Sequence, residues 1–261
     1  MNNTDKATKT KQHWDNELGL FVLQDLTQRK IDELEKNEQY LMHFLSDACQ
    51  PKMKIADLGC GNGYLSVHLA LWGARVDSFD IAPIGVKHTK ALARHNKVDQ
   101  LINVYLHDLH NPLPLPDHSC DAVVGKFVLH HLDPLEPLLK EINRVLKPGS
   151  FYIFLENSNR NFILRFFRSY IAGKAFNSDK NSDDFEEPLN KQELIAIKKY
   201  LPGCRFSYPA LYFFQMAGKY IPSLHLLFRM AKHTDALIGK ICPFLRRYSY
   251  WFIIEGYKPK K

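Results

Sequence analysis

Between about residue 50 and residue 156 the chain alternates between two hydrophobic periods. Short apolar-rich runs at Lys54–Leu58, Ala74–Phe79, Ile102–Leu106, Ala122–Phe127 and Phe151–Leu155 predict β-strands. Between them, apolar residues recur at three- and four-residue steps and predict helices over 63–72, 84–97 and 134–146. The last of these is expected to stop at Lys147-Pro148-Gly149, a breaker with a cation in the final turn. Strands alternating with helices imply right-handed βαβ units and a parallel sheet covered on both faces.

The flanks read differently. Residues 1–12 are polar and predict no regular structure, whereas Ile31, Leu34, Leu41, Phe44 and Leu45 give 13–50 a helical spacing. Past Leu155 comes a basic-apolar segment, 159–172, in which Phe162, Ile163 and Phe166 interleave with Arg160, Arg165 and Arg168. An acidic loop (Asn177–Glu187) follows, then a helix from Pro188 and Asn190 to about Leu201, and strands at Cys204–Tyr208 and Ser249–Tyr257. The roughly forty residues between those strands are rich in Leu, Phe, Tyr and Ile but broken by Lys219, Pro222, Arg229 and Lys232, short of the roughly 18–20 uninterrupted apolar residues of a spanning helix. The expected organisation is a tail and helical cap over 1–50, a core over 51–156, and a lid with the last two strands over 157–261.

At 261 residues and 45% apolar content, one α/β domain with elaborations is the natural expectation. Five scattered cysteines with no CxxC pair argue against a disulfide framework or a zinc site and fit a reducing cytoplasm. The polar start MNNTDKATKTKQHW lacks the apolar region of a secretory signal. Residues 209–261 hold nine Lys and Arg against only Asp235 and Glu255, which accounts for the whole net charge of +7. That fifth of the chain favours an anionic partner.

The chemistry concentrates in Asp57-Leu58-Gly59-Cys60-Gly61-Asn62-Gly63, three alternate glycines between a strand and a helix. Such a turn brings backbone close to a ligand. A nicotinamide dinucleotide fingerprint, GxGxxG, needs its third glycine at 64, where Tyr64 stands, and no P-loop run is present. The heptad resembles motif I of the class I S-adenosylmethionine-dependent methyltransferases. Further segments agree in order. Asp80 ends the second strand 23 residues after Asp57, followed by Ile81, and Asp108 and Leu109 follow the third strand. Pro114–Val124, Phe127–Leu132 and Glu141–Gly149 are similar to the family's fourth-strand approach, post-strand segment and pre-fifth-strand turn.

The resemblance covers about residues 50–156. It implies a doubly wound α/β fold with a mostly parallel seven-stranded sheet, helices on both faces, an antiparallel last strand and a helical lid. It implies S-adenosyl-L-methionine as cofactor. Asp57 would steady the methionine end, with Gly59, Cys60, Gly61 and Gly63 giving close passage. Asp80, beside Ile81, would accept the ribose hydroxyls, and Asp108, beside Leu109, the adenine amino group. Lys126 and Phe127 would offer backbone carbonyls to the ammonium, and Trp14 would fold over the cofactor. No metal is implied.

A hydroxyl acceptor needs a base, and imidazole suits that task near neutral pH. His131 is the leading candidate, ahead of His130 and Glu156. The large aromatic and basic C-terminal third suggests a small-molecule or lipid-like acceptor, methylated at oxygen in preference to carbon or nitrogen. It also suggests peripheral contact with an anionic membrane at its inner face. Nucleic acid is disfavoured: the cations are mixed into apolar helices, and Gly125-Lys126-Phe127-Val128 stands where adenine-methylating relatives keep a Pro-Pro run. The alternatives are a non-catalytic S-adenosylmethionine-binding subunit, an RNA methyltransferase, and a nicotinamide-dependent oxidoreductase.

Overall fold

The computed structural model describes residues 21–28, 31–158, 161, 188–215 and 225–260, with the side chains of 225–229 left aside. Trp14, the acidic loop Asn177–Glu187 and all of the segment 159–172 except Asn161 lie outside the described residues.

The strands are β1 (Lys54–Leu58), β2 (Arg75–Asp80), β3 (Ile102–Leu106), β4 (Cys120–Lys126), β5 (Leu146–Asn157), β6 (Arg205–Ser207) and β7 (Trp251–Tyr257). They form one seven-stranded sheet in the order β3-β2-β1-β4-β5-β7-β6. The first five are mutually parallel, and β7 runs antiparallel to both β5 and β6. The described helices are α1 (Lys36–Ala48), α2 (Tyr64–Leu71), α3 (Pro83–His95), α4 (Glu136–Val145), α5 (Lys191–Tyr200) and α6 (His225–Ile241).

Each face of the sheet buries its own apolar layer. On one, Ile55, Val76, Val124 and Ile153 meet Leu41 and Leu45 of α1, Leu65 and Leu69 of α2, and Leu92 of α3. On the other, Ala56, Leu58, Phe79, Val123 and Phe154 meet Leu138, Leu139 and Ile142 of α4 and Leu194 and Ile197 of α5. Because both faces are covered, central strands such as β4 are apolar at successive positions. The strand order reverses between β1 and β4, which opens a crevice at their carboxyl ends.

Two segments depart from the periodicity. The helical spacing of 13–50 yields an α-helix only from Lys36; Leu26–Gln28 and Ile31–Glu33 are single 3-10 turns. The Gln39 side-chain amide donates to the carbonyls of Asp32 and Leu34, so these carbonyls are satisfied without a continuous helix. At the other end of the core, α4 ends at Val145, just before Lys147-Pro148-Gly149 as expected, but the triplet itself lies within β5. Gly149 adopts φ 83°, its N–H donates to Lys258 O, and a register shift between Cys120 and Ala122 absorbs the extra residues.

The C-terminal elaboration is tied down by two capping arrangements. Asn190 and Glu193 form a reciprocal capping box that starts α5. Asp235 of α6, fully buried, accepts the backbone N–H groups of Phe213, Phe214 and Gln215. After α6, the 3-10 segment Pro243–Tyr248 returns the chain to β7.

Candidate functional site

A cavity of about 290 Å³ lies at the carboxyl ends of the central strands. Asp57 and Gly59 to Asn62 line it from the β1–α2 turn, Asp80 and Ile81 from the end of β2, and Asp108 and Leu109 from beyond β3. Lys126, Phe127 and His131 line it from the end of β4 and the turn after it.

The glycine turn is held from within. Cys60 N–H donates to Phe79 O at 3.0 Å, Gly63 N–H to Cys60 O at 2.8 Å, and Gly61 N–H to Asp80 Oδ2 at 2.7 Å. A loop built for phosphate leaves such donors free and aimed at the ligand; these three are already spent. Three carboxylates, Asp57, Asp80 and Asp108, also face the cavity. This donor and charge set repels a pyrophosphate and suits a cationic, phosphate-free nucleoside.

The glycines serve packing as much as ligand approach. All three adopt positive φ (67°, 52° and 81°). A Cβ on Gly59 would stand 2.7 Å from Val128 Cγ2, and one on Gly63 would stand 2.7 Å from the Cα of Thr89 in α3. Gly63 therefore lies behind the cavity wall, where it lets the turn sit on α3, and it is not among the residues lining the cavity.

Asp57 is almost fully buried, accepts from Ser66 Oγ, and through Ser66 reaches the Ser78 hydroxyl. Burial pushes its carboxyl up to about 7, helped by the nearby charge of Asp80 and opposed by the Ser66 hydrogen bonds. Asp80 caps two turns at once, with Oδ2 taking Gly61 N–H and Oδ1 taking Ala82 N–H at 2.8 Å. Asp108 takes both the backbone N–H and the ring Nδ1 of His110, at 3.0 and 2.8 Å. Burial, then Asp80 and Asp57, raise the Cys60 thiol well above its ordinary range, so Cys60 is an apolar lining group and not a thiolate.

The turn after β4 separates the three base candidates. Glu156 is fully buried at the end of β5. Its Oε1 accepts the N–H groups of Val128 and Leu129 at 2.9 and 2.7 Å, and its Oε2 pairs with His130 Nδ1 at 2.7 Å. His130 is equally enclosed, and neither residue lines the cavity. The Glu156–His130 pair anchors the turn behind the cavity lining. His131, the next residue, lines the cavity beside Leu132, with its ring centroid 3.9 Å from that of His130.

Lys126 lines the cavity, and its ammonium pairs with Glu38. Phe127, at φ 56°, packs on Trp251, which stacks on Tyr212 at 4.3 Å. An aromatic wall thus runs from the cavity toward the C-terminal elaboration. Sequence reasoning missed Asn62, Tyr64, Leu65, His110, Val128 and Leu132 among the lining residues. His110 had a readable signal, an Asp-x-His run in which the acid's side chain can reach the residue two positions on; the others carried none.

Residues 56–154 match a protein family described as a methyltransferase domain. A demethylmenaquinone methyltransferase of Tropheryma whipplei is 32% identical over 119 residues, which cover 45% of this chain and 48% of that protein. A ubiquinone biosynthesis O-methyltransferase of Vibrio atlanticus is 25% identical over 188 residues, covering 70% and 77%. The chain spans about half the length of the first curated relatives it matches. Among solved structures, the geranyl diphosphate C-methyltransferase of Streptomyces coelicolor superposes with a TM-score of 0.61 at 16% identity, covering 98% of this chain and 100% of that one. The cyclase SpnF superposes at 0.63 and 15%, covering 98% and 97%; that a cyclase shares the fold shows that the fold does not fix the reaction. Over residues 56–154 the chain thus matches a methyltransferase domain, and that segment forms the core of a Rossmann-like sheet.

Proposed function

We propose that this protein transfers the methyl group of S-adenosylmethionine to an oxygen of a small, amphipathic, quinone-like or lipid-like acceptor. The observation that carries the reading is the division of the cavity. Three carboxylates and a glycine turn with its donors spent occupy the β1–β3 side, and Phe127, His131 and Leu132 occupy the β4 side. Bound cofactor supplies a methyl group made electrophilic by its sulfonium.

The protein's own task is then positioning and exclusion of water, which is worth up to several kcal/mol. Asp57 would hold the methionine ammonium, Asp80 the ribose hydroxyls and Asp108 the adenine edge. The backbone at Lys126 and Phe127 would complete the methionine end. His131 would accept the acceptor's hydroxyl proton at an imidazole nitrogen, while Glu156 and His130 keep its turn in place. Phe127, backed by the buried Trp251 and Tyr212, would offer an apolar wall to the body of an acceptor. The names of the relatives, demethylmenaquinone and ubiquinone methyltransferases, support an acceptor of this class. We place the lid for that acceptor in residues 157–261.

The test is a product search by mass spectrometry. Purified protein is incubated with labelled S-adenosylmethionine and a lipid and metabolite extract. A labelled O-methylated product is expected. Tight cofactor binding with no labelled product from any extract would leave a non-catalytic binding subunit as the correct reading.

A further inference from the structure

The C-terminal elaboration presents a feature that methyl transfer does not use. On α6, Met230, Thr234, Leu237 and Ile241 recur at steps of four, three and four residues and form one stripe. Met230, Leu237 and Ile241 are 56%, 58% and 68% exposed, and Phe244 in the following 3-10 segment is 63% exposed. Helical spacing puts His233 and Lys240 along one side of this stripe, and Arg247 follows Phe244. The opposite face of α6 is the one that packs inward, through Asp235 and Gly239.

The charge of this region is more one-sided than its composition suggests. Its two acids are both buried and occupied. Asp235 takes the N–H groups of residues 213–215, and Glu255 takes Tyr40, Arg205 and Ser207. Lys232 is paired with Glu35. The formal charge that reaches solvent around the stripe is therefore positive. Among the described residues no helix is long and apolar enough to cross a membrane. An exposed apolar stripe edged by cations, on a helix too short to span, is the pattern of a helix that lies in a lipid interface.

We infer that the face formed by α6 and the 3-10 segment Pro243–Tyr248 docks on an anionic bilayer surface, with Met230, Leu237, Ile241 and Phe244 entering the headgroup boundary and Lys240 and Arg247 meeting the lipid phosphates. Charge complementarity selects this occupant: a second copy of the same face would bring like charges together, and a neutral partner would leave the cations unmatched. The aromatic wall of Tyr212, Trp251 and Phe127 connects this side of the molecule to the cavity.

Flotation of the full chain with phosphatidylglycerol–phosphatidylcholine vesicles at low salt tests the inference without cofactor or acceptor, so its outcome is independent of the methyl-transfer reading. Binding to anionic vesicles is expected, with at least a tenfold weaker partition to pure phosphatidylcholine. Leu237→Glu and Phe244→Glu, both at exposed positions, are each expected to reduce partition at least tenfold with the melting temperature unchanged. Lys240→Glu with Arg247→Glu should weaken it and remove its salt sensitivity. No flotation on anionic vesicles, equal flotation on neutral ones, or binding indifferent to Leu237→Glu and Phe244→Glu would each overturn it. So would a concentration-dependent dimer abolished by the same substitutions, which would assign the face to a second copy.

Discussion

At the scale of single residues, the carboxylates of the cavity do two jobs each. Asp57 is buried before any ligand arrives, and its carboxyl is pushed up to about 7. The folded, ligand-free protein therefore holds a proton there that the unfolded chain releases near pH 4, so this group's contribution to stability falls as pH rises from about 4 to about 7. Asp57→Asn should raise the melting temperature of the ligand-free protein at pH 8, and the gain should vanish as pH approaches 4. A cationic ligand beside Asp57 needs the carboxylate, so S-adenosylmethionine affinity should climb with pH up to about 7 and then level off. Calorimetry across pH checks this, and Asp57→Asn should flatten the profile.

Asp80 holds the glycine turn through Gly61 and the β2–α3 turn through Ala82. Asp80→Ala should weaken cofactor binding by about 1–3 kcal/mol, through unpaired ribose hydroxyls and a loosened turn. Unchanged affinity would detach Asp80 from the ligand. Asp80 was legible because it closes the second apolar run at the sheet edge; Asp57 and Asp108 were legible through the family resemblance. The roles of the glycines were legible only in part. That Gly63 faces Thr89 of α3 depends on how the helix packs, which no local pattern encodes.

At the scale of elements, the turn after β4 shows where one-dimensional reading stops. Two adjacent histidines are equivalent in sequence; the fold buries His130 against Glu156 and leaves His131 at the cavity. The partner of His130 comes from another strand, and only the β4–β5 pairing brings it near. Glu156→Ala would strand two buried N–H groups and an imidazole, and should cost about 3 kcal/mol or more in denaturant unfolding. Glu156→Gln keeps one oxygen for Val128 and Leu129 and should cost clearly less. Equal losses would mean that shape, and not hydrogen bonding, holds the turn. The same limit explains β5. Lys147-Pro148-Gly149 reads as a helix stop, and the helix does end at Val145, but the triplet joins a strand because at Gly149 the chain pairs with Lys258, more than a hundred residues away.

At the scale of the whole molecule, the mostly parallel seven-stranded sheet and its antiparallel last strand followed from alternating periods together with the family resemblance, whereas the strand order came from the fold. The C-terminal third was less legible. Among the described residues, those of α6 divide between an inward face and an outward apolar stripe, and only the fold says which is which. The whole site also predicts selectivity among ligands. S-adenosylmethionine at about one hundred times its dissociation constant should stabilise the protein by about 2.7 kcal/mol and raise the melting temperature, whereas NADH at the same concentration should leave it unmoved. A shift with NADH alone would reverse the ligand assignment.

Val128 joins these scales. A Cβ on Gly59 would meet its Cγ2, a Cβ on Gly125 would meet its Cγ1, and its N–H is fixed by Glu156. The isopropyl group is a rivet driven through the donor loop, the end of β4 and the turn that carries His131. The distance between the glycine turn and His131 is thereby set by the frame itself. A lineage that changed its acceptor could keep this frame intact and redraw only the walls beyond Leu132, so divergence of substrate would leave the 57–63 and 125–131 segments standing as one inherited part.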